Sequence, residues 1–121
     1  MDHSTGFPGR EDVTDADRLF GALADGTRRS AVKALLQAPR TSGDLARTLG
    51  VTPQALTRHL RVLRRSGLVQ AEGDEADARL RIYRVAPEAF APLRTWLDDA
   101  ERMWSIQLAA FAHFAEDGTR K

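Results

Sequence analysis

TSGDLARTLGVTPQALTRHLRVLRRSG, residues 41–67, is the stretch whose reading decides the fold. Thr41 and Asp44 stand at the offset of a capping box, and Leu45, Ala46 and Leu49 follow as the inward face of a short helix. Gly50 suits the left-handed residue that closes such a helix. Thr52-Pro53 then supplies an N-cap with proline at the first helical position. The next helix carries Leu56, Leu60 and Leu63 on one side and ends at Gly67. Two helices joined by a three-residue turn that begins with glycine make a helix-turn-helix.

Outward from this pair, the period of the chain predicts its neighbours. Upstream, Thr14 with Asp17 starts a helix bearing Leu19, Phe20 and Leu23. A second helix runs from about Gly26-Thr27 to Gln37, with Ala31, Val32, Leu35 and Leu36 as its apolar stripe, and Pro39 stops it. Downstream, Leu68–Glu72 and Arg79–Val85 read as two strands around the turn at Gly73-Asp74-Glu75-Ala76-Asp77. A hairpin in that place is a wing. Pro87-Glu88 opens a last helix reaching about Ala115, with one apolar stripe through Leu93, Leu97, Trp104 and Phe111 and another through Trp96, Met103 and Phe114. A small domain covers one stripe, and the second needs a partner. The fold class is therefore mainly α with a small β-hairpin, a winged helix-turn-helix. Residues 1–13 are expected to be a flexible tail, 14–116 the working domain and 117–121 a short tail.

Composition narrows the function. The 121 residues carry 18 Lys+Arg against 17 Asp+Glu, and there is no cysteine. Disulfides, thiolate metal sites and cysteine nucleophiles are thereby excluded. No apolar run is long enough to span a bilayer and no secretory signal opens the chain, so the expected location is the cytoplasm. No enzymatic constellation is present: there is no glycine-rich phosphate loop, and the serines lack a nucleophile-elbow context.

Within this near-neutral chain, Leu45–Ala71 holds Arg47, Arg58, Arg61, Arg64 and Arg65 and no acid. Four of those arginines lie on the second helix of the motif, and the side opposite its leucines presents Gln54, Thr57, Arg58, Arg61 and Arg65. Arginine pairs with guanine and glutamine with adenine in the major groove. Gln54, Thr57 and Arg58, near the helix start, are the candidate base readers. Thr52, Arg61, Arg64 and Arg65 are the candidate phosphate contacts. His59 borders the core face and is expected to be packed and hydrogen-bonded. The wing tip, with Glu72, Asp74, Glu75 and Asp77, is acidic and would be repelled by phosphate. Only Arg79 or Arg81 on the returning strand would approach DNA there, and structural ion pairing is an equal alternative for both.

Specific segments resemble a known family. Leu23-Ala24-Asp25-Gly26-Thr27-Arg28-Arg29 is similar to the "ALADPTRR" opening of the ArsR family of bacterial winged-helix regulators. Leu45–Thr52 and Leu56–Leu63 resemble its "LAERLGLS" and "VSRHLKVL", while Ser66-Gly67-Leu68-Val69 and Arg81-Ile82-Tyr83 resemble its "AGLV" and "RxY". The resemblance implies the order α-α-α-α-β-β-α and a homodimer formed by the first and last helices. It also implies binding to an inverted-repeat operator, usually as a repressor. Leu19, Phe20, Leu93, Trp96, Leu97, Met103, Trp104, Phe111 and Phe114 are the expected interface residues. The family's cysteine metal motif is missing here: Asp44-Leu45-Ala46-Arg47 offers no thiolate. His113 and Glu116 have half-site spacing for zinc but lack a second half, so no metal and no cofactor is expected. The alternatives are a protein-binding winged helix that leaves DNA alone, or a repressor gated by a metal or by an apolar effector held among the last helix's aromatics.

Overall fold

The computed structural model describes residues 14–73 and 76–119. Its elements run α1 (Asp15–Leu23), α2 (Gly26–Gln37), β1 (Arg40–Thr41), α3 (Ser42–Leu49), α4 (Pro53–Ser66), β2 (Val69–Glu72), β3 (Ile82–Val85) and α5 (Ala91–Thr119). The helix starts follow local capping chemistry. Thr14 and Asp17 exchange side-chain and backbone hydrogen bonds at 2.9 and 3.1 Å, a complete capping box for α1. Asp25 caps α2 by accepting from the Arg28 amide at 3.0 Å. Thr41 caps α3, but the carboxylate of Asp44 does not reach back to it. Asp44 turns instead to Arg40 and Arg47, each at 3.4 Å.

The sheet has three strands, not two, in the order β1-β3-β2. Arg40 and Thr41 pair antiparallel with Tyr83 and Ile82, so the chain entering the helix-turn-helix is stitched to the wing. The wing strands are also shorter than the alternation suggested. Ala78–Leu80 is a turn of 3₁₀ helix instead of strand. Asp77 stabilises that turn by accepting from both the backbone and the guanidinium of Arg79 at 3.0–3.1 Å.

The last helix starts at Ala91, four residues after Pro87, and extends to Thr119. Pro87–Phe90 forms a turn in which Glu88 has φ +55, a left-handed conformation that breaks the helix there. Pro92 sits in the first turn of α5, where a missing N–H costs no intrahelical bond. At the other end, 117–119, expected as tail, are helical. The expected tail 1–13, Arg120 and Lys121 lie outside the described residues.

One apolar core joins all five helices to the sheet. It contains Leu19, Ala31, Val32, Leu35, Leu45, Leu56, Leu60, Leu63, Leu68 and Tyr83 among others, and none of its buried members is polar or charged apart from the tyrosine hydroxyl. Leu19 at 2% and Leu93 at 9% exposure belong to this core. Both were expected at a subunit interface; within this chain they are buried, and α1 packs on α5. Beyond Trp96 the helix α5 leaves the body, and Leu97, Met103, Trp104, Phe111 and Phe114 are exposed, the last two at 68% and 75%.

Candidate nucleic-acid interface

The geometry of α4 follows from its sequence. The Thr52 hydroxyl oxygen accepts from the Ala55 amide at 3.1 Å, Pro53 occupies the first turn, and Gly67 closes the helix with φ +88. Gly50, with φ +68, makes the sharp turn that sets α3 against α4. Leu56, Leu60 and Leu63 are buried, which fixes the rotation of α4 about its axis. Everything at the opposite angle must then face outward. Gln54, Thr57, Arg58, Arg61, Arg64 and Arg65 are all exposed.

A groove of about 850 Å³ runs between this face and the wing. Thr57, Arg61, Arg64 and Arg65 line it from α4, Ser42 from the start of α3, and Gln70, Glu72 and Arg81 from the wing. The one acid along this lining, Glu72, is paired with Arg84 of β3 at 2.7 Å, so its charge is compensated by the neighbouring strand. For Arg58, Arg61, Arg64 and Arg65 no salt bridge to a described residue is present, and their donors point to solvent. A guanidinium presents five N–H groups in a planar fork suited to phosphate or to the guanine edge.

The hydroxyls have defined roles. Thr57 donates to the Pro53 carbonyl at 2.8 Å, which leaves its lone pairs and its methyl for a base edge. Thr52 accepts as the helix cap and keeps its own O–H free to donate to a phosphate oxygen.

The two wing arginines separate. Arg81 lines the groove. Arg79 does not: it forms a two-pronged pair with Asp77, with Nε and Nη2 at 3.1 and 3.0 Å. The Arg79 side chain holds the Asp77 carboxyl below the usual carboxylate range, and Asp77 in turn raises Arg79. The ion pair that was one of its two expected roles is present in the structure. Asp74 and Glu75, read as the acidic tip, lie outside the described residues.

His59 packs at the edge of the core, 3.4 Å from Arg28 and 3.9 Å from Asp25. The sequence reading missed Ser42 and Gln70 in the groove. Ser42 follows the Thr41 cap directly, so the start of α3 was the available signal. For Gln70, strand alternation could have placed it outward beside Glu72. Among the described residues, no group of three or more His, Cys, Asp or Glu side chains is arranged to hold a metal. His113 pairs with Asp117 at 3.5 Å.

Comparison with known proteins agrees with this geometry. Residues 25–71 match the model of the family described as bacterial regulatory protein, arsR family. The HTH-type transcriptional regulator Rv2034 of Mycobacterium tuberculosis (strain ATCC 25618 / H37Rv) is 39% identical over 100 residues, covering 83% of this chain and 88% of its own. This chain belongs to the arsR family. Solved arsR-family folds superpose on it. An ArsR-like transcriptional regulator from Rhodococcus sp. RHA1 gives a TM-score of 0.72 at 29% identity, covering 84% of this chain and 92% of the other. The homodimeric winged helix-turn-helix DNA-binding domain of Mb0332 from Mycobacterium bovis gives 0.59 at 25% identity, covering 80% and 89%. The arsR-family chain is therefore a transcriptional regulator with a winged helix-turn-helix DNA-binding domain, a non-enzymatic class. None of its described helices is long and apolar enough to cross a membrane.

Proposed function

We propose that the protein is a homodimeric repressor that binds an inverted-repeat operator in the cytoplasm. In each protomer α4 enters a major groove. Gln54, Thr57 and Arg58 read base edges, while Thr52, Arg61, Arg64, Arg65 and Arg81 hold phosphates. Arg79 remains on Asp77. The unit that carries this work is 14–116, with α5 continuing beyond it. One observation carries the reading: an acid-free reading helix, anchored by three buried leucines, turns its arginines toward a groove shared with the wing. A cationic face of that shape is what docking against a duplex requires, and a protein-binding winged helix has no use for it.

The dimer is supported by two features. Trp104, Met103, Phe111 and Phe114 continue an apolar face on α5 that this chain leaves exposed, and the Mb0332 domain is described as homodimeric. No metal enters the proposal. The test is selection of bound duplex from a random library. An inverted repeat with half-sites separated by about one helical turn is the expected product. Recovery of unrelated sequences with no shared half-site, or no binding of any duplex at low salt, would refute the proposal.

A further inference from the structure

The arginine at position 28 has no role in the interface described above, yet its contacts reach three helices. Its Nε donates to the Ala22 carbonyl at 2.6 Å and its Nη2 to the Gly21 carbonyl at 3.2 Å. Both acceptors are in the last turn of α1, where carbonyls lack the regular i+4 donor; the Gly21 carbonyl also accepts from the Ala24 cap amide at 3.3 Å. The α1 C-terminus needs this help. Its cap is Ala24 in a right-handed conformation, and its last turn holds no basic residue. Arg29 completes the closure by donating to the Leu23 carbonyl at 2.8 Å.

Arg28 alone continues further. Its Nη1 lies 3.4 Å from His59 Nδ1 on α4, and its own amide is held by Asp25 at 3.0 Å. A guanidinium has only donors, so a hydrogen bond between the two would use His59 Nδ1 as acceptor; the Asp25 carboxylate lies 3.9 Å from the same nitrogen. His59 sits next to Arg58, between the buried leucines and the exposed arginines of the same helix.

From this geometry we infer that Arg28 is a positioning residue, clasping the end of α1 to α4 and fixing the separation of the two reading helices in the dimer. The inference rests on the dimeric DNA-binding reading and adds the means by which spacing is measured. α1 packs on α5, the helix with the uncovered apolar face, and α4 carries the readers. The rotation of α4 relative to α1 therefore sets where each reader lands. In a symmetric pair, slack in one protomer is repeated in the other, and the error in separation doubles. A planar three-way fork constrains direction as well as distance, which a lysine ammonium would not do.

The experiment uses the full chain and the duplex that the wild-type protein selects from a random library. Affinity is measured by fluorescence anisotropy for that duplex, for versions with one base pair added or removed between half-sites, and for a random duplex. Arg28→Lys keeps the charge but cannot make the fork. His59→Phe removes the α4 arm, together with the 3.9 Å approach of His59 to Asp25, and leaves the hydrogen bonds of Arg28 to α1 in place. Each should reduce discrimination between the correct and altered spacings by about tenfold, a size that coupled elements carry between sites. Affinity for random duplex should stay within about twofold, because no phosphate contact is lost. His59→Gln, which retains an acceptor, should recover most of the discrimination. The inference is overturned if both variants discriminate spacing as the wild type does. It is equally overturned if random-duplex affinity falls in parallel, since Arg28 would then act as a phosphate contact or through general stability. Should Arg28→Lys fail to fold, His59→Phe decides alone, the ring being partly exposed and its replacement tolerated. Failure of the wild type to bind any duplex would refute the DNA reading instead.

Discussion

Removing Arg65 gives a quantitative test of where the phosphate backbone lies. Arg61, Arg64, Arg65 and Arg81 border the groove, so four guanidiniums per protomer and eight per dimer are available to displace condensed counterions. Each neutralised phosphate contributes about −0.9 to the slope of log K against log salt, which gives about −7 for the wild-type dimer. Arg65→Ala removes one contact per protomer, and the slope should become shallower by about 2. Between about 50 and about 200 mM KCl the wild type then loses about ten-thousandfold in affinity, and the variant about a thousandfold. Arg102→Ala is the control. Arg102 is paired with Asp99 at 2.9 Å on α5, away from the groove, and its loss should leave the slope unchanged. The assay is anisotropy on the selected operator over a salt series. If the Arg65→Ala slope equals the wild-type slope, Arg65 does not face a phosphate and the docking described for α4 is wrong. A change of equal size in the control would show that the slope reports net charge rather than contacts.

Other outcomes follow from the same geometry. Arg58→Ala should cost about 1–3 kcal/mol on the operator and relax sequence preference at a single position, read by repeating the library selection with the variant. Leu63, fully buried beneath α4, should cost about 3 kcal/mol of folding stability when cut to alanine, measured by urea unfolding. Trp104→Glu on the exposed face of α5 should shift the protein to monomer in sedimentation experiments; an unchanged mass would place the interface elsewhere. Stability should also fall in acid. Asp25 is lowered chiefly by the Arg28 amide, Asp17 by the Thr14 amide and Asp77 by the Arg79 side chain. Groups depressed in the fold contribute fully above their unfolded pKa and lose that contribution as pH drops through the folded value, here below about pH 4. Asp25→Asn keeps a capping oxygen but does not titrate, so its urea midpoint should decline less between about pH 5 and about pH 3 than that of the wild type.

The capping residues and the leucine period determined the helix-turn-helix in advance, because both act within a few residues of chain. Thr52, Pro53, Gly50 and Gly67 mark the ends of α3 and α4 by local backbone chemistry, and Leu56, Leu60 and Leu63 fix which face points outward. The candidate readers followed from that rotation alone. Relations between distant segments were a different matter. Strand β1 is two residues long and exists only because Tyr83 and Ile82 arrive beside it. The start of α5 depended on the left-handed turn at Glu88, which Pro87 concealed by resembling a helix start. The division of apolar residues between core and open surface was equally out of reach, since a stripe shows that a face is apolar without showing what covers it. Leu19 and Leu93 were enclosed by their own chain while Phe111 and Phe114 were left bare. The arginines that close α1 from α2 look like ordinary surface charge in the sequence. Sequence alone settled what is decided by neighbours along the chain; tertiary structure settled partnership, because an unpaired carbonyl or an apolar face is satisfied by whatever folding brings near it.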